Sequence, residues 1–246
     1  MQISDRALLY GSGVFTTMRI VDGYPFRWRQ HWQRLLTHAN KIGLVGIPAE
    51  ELIREAIEIQ THGFHEGRTR ITLLDHRPSD FWESDSSTPN QDYHILVGKV
   101  VVPPKRFRVS ISPFPVNSRS PLAGIKSCNY LEQMIAIHEA RARGFNEAIR
   151  ANDGGMVTSG CVANVFWLKN GELFTSSLTT GCLAGTTREF VLENMNCHEV
   201  EASIEELDDA EAIFLTSAGI GVVRVAEFNE KRFESIDHPI MHLLPY

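Results

Sequence analysis

No stretch of this 246-residue sequence approaches the roughly 18 consecutive apolar residues of a membrane span, so a transmembrane protein is not expected. There is also no block of like charge. Twenty-four basic and thirty acidic residues are interspersed and leave a net charge of −6, which argues against a nucleic-acid or membrane-surface partner. Cysteine is scarce: Cys128, Cys161, Cys182 and Cys197 form no C-x-x-C pair, and no histidine pair has zinc-site spacing. They read as four reduced thiols, and no metal is expected. The dinucleotide fingerprint is missing too, because Gly11-Ser12-Gly13 lacks the third glycine of G-x-G-x-x-G. Internal repeats and low-complexity tracts are absent. The opening MQISDRALLY is polar and has no leader-like apolar core, so a cytoplasmic location is expected.

What is present is an ordinary globular composition, 43% hydrophobic and 22% charged, with hydrophobic periodicity that switches repeatedly between strand and helix. Residues 12–21 alternate as a strand, with Phe15, Thr17 and Arg19 on one face and Val14, Thr16 and Met18 on the other. Helices are expected over about 27–42, where Trp28, Trp32, Leu35, Leu36, Ala39 and Ile42 recur at helical spacing, and over about 48–62 after Pro48. Strands follow at about 68–74 and 93–102, separated by a polar, turn-rich loop over 76–91. Pro103-Pro104 interrupts the strand signal, so the domain boundary is placed there, giving an N-terminal domain over 1–104 and a larger one over 105–246. Beyond it come a strand at 107–112, a coil over 113–125 and a helix at about 129–143 containing Leu131, Met134, Ile135 and His138. Asp153-Gly154-Gly155 marks a turn, and Asn170-Gly171 between VFWLK and ELFTS is a strong hairpin signal. A helix from Gly185 to about 195, strands at about 212–217 and 221–226, and a short helix near 238–244 complete the chain. The mixture of hairpins and helices predicts an α/β fold of α+β character with mixed sheets.

Three places carry chemistry. Lys126 lies in LAGIKSCNYLEQ, flanked by Leu122, Ala123, Gly124, Ile125, Ser127 and Cys128 without another charge. A lysine in coil is ordinarily solvated, but one desolvated among small apolar residues loses basicity and becomes a nucleophile and base. Gly185-Thr186-Thr187 opens a helix, where free N–H groups and hydroxyls suit a phosphate, although such strings are commonly plain N-caps. LTSAG at 215–219 is a second hydroxyl-rich strand end, and Arg34 in HWQRLL could make a bidentate phosphate contact.

Taken in order, these segments are similar to a known family. DRALLYGSGVFTTMR resembles the D-R-x-x-x-Y-G-D-G-x-F-x-T-x-R opening of the fold-type IV pyridoxal-phosphate (PLP) enzymes, the class IV aminotransferase family. HWQRL resembles H-x-x-R-L, and GIKSCNYLEQ resembles the family's K-x-x-N lysine motif. GMVTSGCVANVFWLKNGELFT resembles V-T-E-x-x-x-x-N-[IVL]-F, and LAGTTREFV resembles G-[IT]-T-R. The likeness runs from residue 4 to about 226. Within the family, FTTMR, LAGIK-x-x-N-x-LEQ and C-x-A-N-x-FW look most like the aminodeoxychorismate lyase branch.

The resemblance implies two domains with PLP in the cleft between them, a homodimer, and a small-molecule substrate. It implies that Lys126 forms the Schiff base and shuttles protons, that Arg34, Thr186, Thr187, Ser217 and Ala218 hold the phosphate, and that Asn164 lies on the cofactor side. It implies that Phe15 and Arg19 face the substrate, that Thr17 orients or protonates the departing group, and that Arg19, or Arg77 in the 76–91 loop, holds a substrate carboxylate. The implied reaction is release of pyruvate from 4-amino-4-deoxychorismate to give 4-aminobenzoate. D- or branched-chain amino-acid transamination, and a non-catalytic relative of the fold, are the alternatives. Two positions depart from the pattern. Ser12 stands where aspartate is common, and Ser159 stands where the family glutamate pairs with the pyridine nitrogen. A serine on the cofactor side can hydrogen-bond that nitrogen but cannot hold it protonated, which disfavours transamination more than an elimination that aromatises its product. The motifs also begin closer to the N-terminus than in most relatives, which implies either a trimmed small domain or a chain that starts late.

Overall fold

A computed structural model describes residues 5–78 and 91–245, so residues 79–90 of the expected polar loop lie outside the described residues. The chain divides into two compact units, Met1–Val100 with Ile125–Tyr130, and Val101–Gly124 with Leu131–Tyr246.

In the first unit Asp5 caps a short helix, α1 (Arg6–Tyr10), by accepting the Ala7 and Leu8 N–H groups. Strands β1 (Gly13–Val21) and β2 (Tyr24–Pro25) form a hairpin, followed by helices α2 (Trp28–Lys41) and α3 (Glu50–Thr61). Strands β3 (Glu66–Asp75) and β4 (Gln91–Gly98) complete an antiparallel sheet of order β2-β1-β3-β4. The alternation expected of β1 is realised. Val14, Met18 and Ile20 are fully buried in a core with Trp32, Leu35 and Ala39 of α2, Ile53 and Ile57 of α3, and Ile71 and Leu73 of β3. Trp28 and Trp32 stack at 5.6 Å, and the Trp28 indole donates to Glu50 Oε1 at 2.6 Å, tying α2 to α3. β4 stops at Gly98, four residues short of the expected 102. Its ladder with β3 ends at the Arg68↔Gly98 pair.

The second unit holds two five-stranded sheets. β5 (Arg108–Ile111) is followed by helix α4 (Leu131–Ala142), then β6 (Glu147–Ala151), β7 (Val157–Gly160), β8 (Asn164–Lys169) and β9 (Glu172–Ser176). Helix α5 (Thr186–Asn194), strands β10 (His198–Val200), β11 (Ala212–Ser217) and β12 (Gly221–Arg224), and the short pair β13 (Glu227–Phe228) and β14 (Lys231–Arg232) follow, with a 3-10 turn at Pro239–His242. The sheet orders are β10-β9-β8-β11-β12 and β14-β13-β5-β6-β7, and both mix parallel with antiparallel pairs. Their inner faces meet in one core: Val109, Ile149 and Val157 from one sheet against Val165, Trp167, Ile213 and Leu215 from the other. The opposite face of β8 and β11, with Phe166 and Phe214, packs on Val191 of α5 and on Ile240. Asn170 and Gly171 both have positive φ (54° and 74°), the backbone a two-residue β8–β9 turn of this hand requires. α4 buries its small residues Ala136 and Ala140, with Ile137, against Ala148 and Cys161. Leu131, Met134 and Ile135 of the same helix are exposed within this unit.

Ile125–Tyr130, and Lys126 with it, belongs to the first unit although it lies beyond the boundary expected at Pro103-Pro104. The reason is hydrogen bonding: Phe15 N–H donates to Lys126 O (3.0 Å) and Cys128 N–H donates to Gly13 O (2.8 Å), so the segment lies along the edge of β1.

Candidate active site

The first unit brings Lys126 to the face of β1 that carries Phe15. Its Nζ lies 4.5 Å from the Phe15 ring centroid and 5.2 Å from that of Tyr130, and these two rings meet edge-on at 5.1 Å. Lys126 keeps some accessible surface, but dense protein around it makes the amine recessed rather than sealed. Burial, and secondarily the positive charges of Arg34 and Arg70, push its pKa down to about 7. An amine of that basicity exists in both protonation states at neutral pH, so it can act as nucleophile, base and acid.

Arg70 does not stand out in the sequence. It sits on β3 directly across from Thr17, its guanidinium lies 3.6 Å over the Phe15 ring, and its Nε donates to Thr72 Oγ1 at 3.1 Å. The missed signal was periodicity: β3 buries Gly67, Thr69, Ile71, Leu73 and Asp75, so Arg70 and Thr72 must share the other face with their cross-strand partners Thr17 and Phe15. Arg19, expected beside the substrate, donates to Glu66 Oε2 at 3.1 Å. The Arg77 guanidinium, expected as the alternative carboxylate partner, is buried and donates to Asp75 (2.8 and 2.7 Å) and to Gly43 O (3.1 Å), which makes it an internal clamp at the end of β3.

Helix α2 contributes from the opposite face of β1. Arg34 Nη2 donates to Thr16 Oγ1 (3.0 Å), and the same hydroxyl lies 2.7 Å from His31 Nδ1. One helical turn beyond Arg34, His38 Nδ1 accepts the Lys126 backbone N–H at 3.1 Å. Burial foremost, then neighbouring cations, lowers His31 well below the usual histidine range and His38 to about 4, so both imidazoles are neutral near pH 7. Thr16, His31 and His38 are neighbours of the site that sequence reasoning does not reach. The helical spacing of His31 and His38 with Arg34 is visible in the sequence, but their partners are not.

The second unit assembles the other expected group. Thr186 and Thr187 are buried at the start of α5, and its N-cap, Gly185, provides no side-chain cap. A Cβ at Gly185 would stand 2.0 Å from Asn164 Oδ1, so only glycine allows this approach. Asn164 Nδ2 donates to Leu183 O at 2.8 Å. Thr216, the cross-strand partner of Asn164, has a buried hydroxyl with no hydrogen-bond partner among the described residues, and Ser217 follows at the end of β11, with Ala218 next. Arg188, the arginine of GTTR, is turned inward and donates to Ser176 O (2.8 Å) and to Glu199, which fastens α5 to its sheet. Ser159 lies on β7 across from Arg150, whose buried guanidinium donates to Phe114 O and Pro115 O.

The amino-transferase class IV family model matches residues 13–228, most of the chain and all of these positions. The chain belongs to the class IV aminotransferase family. Among similar proteins, the aminodeoxychorismate lyase of Bacillus subtilis is 26% identical over 94% of this chain and 82% of its own length. The D-alanine aminotransferase of Bacillus licheniformis is 27% identical over 93% and 83%. The crystal structure of a branched-chain aminotransferase from Thermoproteus uzoniensis, with norvaline, matches at a TM-score of 0.89 and 25% identity, covering 99% of this chain and 86% of that one. The class IV cofactor is pyridoxal 5'-phosphate, and the residues present suit it. Lys126 supplies an amine of suitable basicity, and the α5 start, whose Gly185 N-cap offers no side-chain acceptor, lies beside threonine hydroxyls and a Thr216 Oγ1 that has no hydrogen-bond partner among the described residues. Among the described residues His76, Asp92 and His94 also bring ligand atoms within 4.8 Å of one another, but two of the three are exposed, and such groupings are common without an ion. No described helix is long and apolar enough to cross a membrane.

Proposed function

We propose that this class IV enzyme is a PLP-dependent lyase that converts 4-amino-4-deoxychorismate to 4-aminobenzoate and pyruvate. The observation that carries the reading is the recessed Lys126 amine, held over Phe15 and Tyr130 and depressed to about 7. Lys126 Nζ would hold the cofactor through its aldehyde, while Arg34, Thr186, Thr187, Ser217 and Ala218 are assigned to its phosphate and Asn164 and Ser159 to its ring side. When bound, PLP supplies an electron sink for the carbon bearing the substrate amine. The Lys126 amine, partly unprotonated near neutral pH, would take the substrate proton at Nζ. Thr17, beside Arg70 on the same sheet face, is placed to orient the departing enolpyruvyl group or to donate a proton to it. Arg70 replaces Arg77 as the proposed carboxylate partner, because its charge is half-buried and stacked on Phe15. The neutral Ser159 favours elimination, which gains aromaticity, over transamination, which depends more heavily on a protonated ring.

The second reading is transamination of a D- or branched-chain amino acid. It is favoured by the aminotransferases among the similar proteins, one of them 27% identical. A single assay separates the two. The purified protein with PLP and aminodeoxychorismate should release pyruvate without any keto-acid acceptor. Conversion of the cofactor to its pyridoxamine form by an amino donor, with no pyruvate released, would replace the lyase by a transaminase. Lys126→Ala should abolish the visible absorbance of the lysine-bound cofactor.

A further inference from the structure

We propose that His38 is a positioning residue for the Lys126 amine: its neutral imidazole accepts the lysine's backbone N–H and so sets where the side chain leaves the main chain. The proposal rests on the reading of Lys126 as the reactive amine. It is carried by the way residues 126–128 are held. The Lys126 carbonyl accepts from Phe15 N–H at 3.0 Å, and Cys128 N–H donates to Gly13 O at 2.8 Å, so strand β1 grips one side of the segment. The Lys126 N–H is not part of that grip. It donates to His38 Nδ1 at 3.1 Å, and His38 reaches it from α2, one turn after Arg34. The lysine backbone is therefore pinned from both directions, by main chain on its carbonyl and by one buried side chain on its amide.

Only an unprotonated Nδ1 can accept, because a protonated imidazole donates from both nitrogens. The charged groups acting on His38 are Arg34 and Lys41 on its own helix and Lys126 from the 125–130 segment. All are cationic, and with burial they keep the ring neutral down to about pH 4. The bond thus fixes the tautomer, with the proton on Nε2. A neutral His38 also adds no positive charge near Nζ. The electrostatic lowering of the amine then comes from Arg34 and Arg70, and how strongly it acts depends on where the pinned backbone places Nζ.

The test uses amide hydrogen exchange and amine titration on the full chain. Asparagine places its Oδ1 where Nδ1 stands and keeps the acceptor, whereas leucine removes it. In His38→Leu the Lys126 amide should exchange roughly tenfold faster relative to the β1 amides, the fold-change of one lost net hydrogen bond. In His38→Asn it should match the native protein. The Lys126 pKa, read from the pH dependence of its reaction with pyridoxal 5'-phosphate, should rise in the leucine variant and stay near 7 in the asparagine variant. If the leucine protein does not fold, His38→Gln, whose acceptor sits one bond farther out, takes its place. Equal exchange in all variants would overturn the proposal, and so would altered exchange with an unchanged amine pKa, which would mark His38 as structural only. A native protein that never combines with PLP at Lys126 would instead overturn the proposed function, and the exchange result would still stand.

Discussion

At the scale of single residues, the second unit contains two positions whose surroundings make opposite demands. Gly185 is fixed by contact: any Cβ would collide with Asn164 Oδ1 at 2.0 Å. Gly185→Ala should lower stability by about 1–3 kcal/mol through overpacking and should weaken PLP binding, seen as a lower Tm and a raised Kd. An unchanged Tm together with an unchanged Kd would contradict the close approach. Thr216 is the reverse case, a buried hydroxyl without a partner among the described residues. Such a group has lost water and gained no compensating bond, so Thr216→Val should leave the cofactor-free protein as stable as before, within about 0.5 kcal/mol, or stabilise it. A loss beyond about 1 kcal/mol in denaturant titration would mean that the hydroxyl is satisfied after all.

At the scale of elements, helix α2 works through a polar stripe within an otherwise apolar packing face. Trp32, Leu35 and Ala39 enter the core of the first unit, while His31, Arg34 and His38, spaced three and four apart, reach Thr16 and the Lys126 backbone. The helix therefore ties the strand and the lysine segment together, and neither would be placed by hydrophobic burial alone. The β8–β9 hairpin illustrates local control. Gly171 at φ 74° is left-handed and open to solvent, so Gly171→Ala meets no neighbour and suffers only the backbone penalty. The expected loss is about 1 kcal/mol, measurable by thermal unfolding. Phe214, fully buried on the α5 side of its sheet, should cost about 3–5 kcal/mol when cut to alanine.

For the whole molecule, pH dependence follows from three depressed bases. The folded pKa of His38 is about 4 against 6.5 for a free histidine, and His31 is lowered as well. The unfolded chain therefore binds more protons than the folded one over that interval, and stability rises with pH through it. The stability of the cofactor-free protein should fall between pH 6.5 and pH 4, by up to about 3 kcal/mol from His38 alone. His38→Asn should flatten that part of the profile in urea titrations run across the range. Lys126, at about 7 against 10.5, acts in the same direction between pH 7 and pH 10.5 and resists protonation on folding. The homodimer expected from the family resemblance predicts a sedimentation mass of twice 27.7 kDa, and a 27.7 kDa species at micromolar concentration would remove that expectation.

Much of the molecule is legible in its sequence. Strand alternation at 12–21, the Trp-Leu-Ala spacing of α2, the Asn170-Gly171 turn and the helix start at Gly185 are local patterns, and local patterns survive folding because they arise from backbone sterics and nearest neighbours. The lysine and the two threonines stand out only weakly by local context, and it is the resemblance of the ordered motifs to a known family that gives them roles. Tertiary structure alone decided which side chains meet. It moved Lys126 to the first unit through two main-chain bonds to β1, spent Arg77 on Asp75, and set Arg70 over Phe15. It also gave His38 a partner 88 residues away. Apart from the local Arg77–Asp75 pair, each of these depends on hydrogen bonds and charges between segments distant in the chain. Spacing along a sequence carries no record of such pairings, because the energy that selects them exists only once water has been excluded from around the pair.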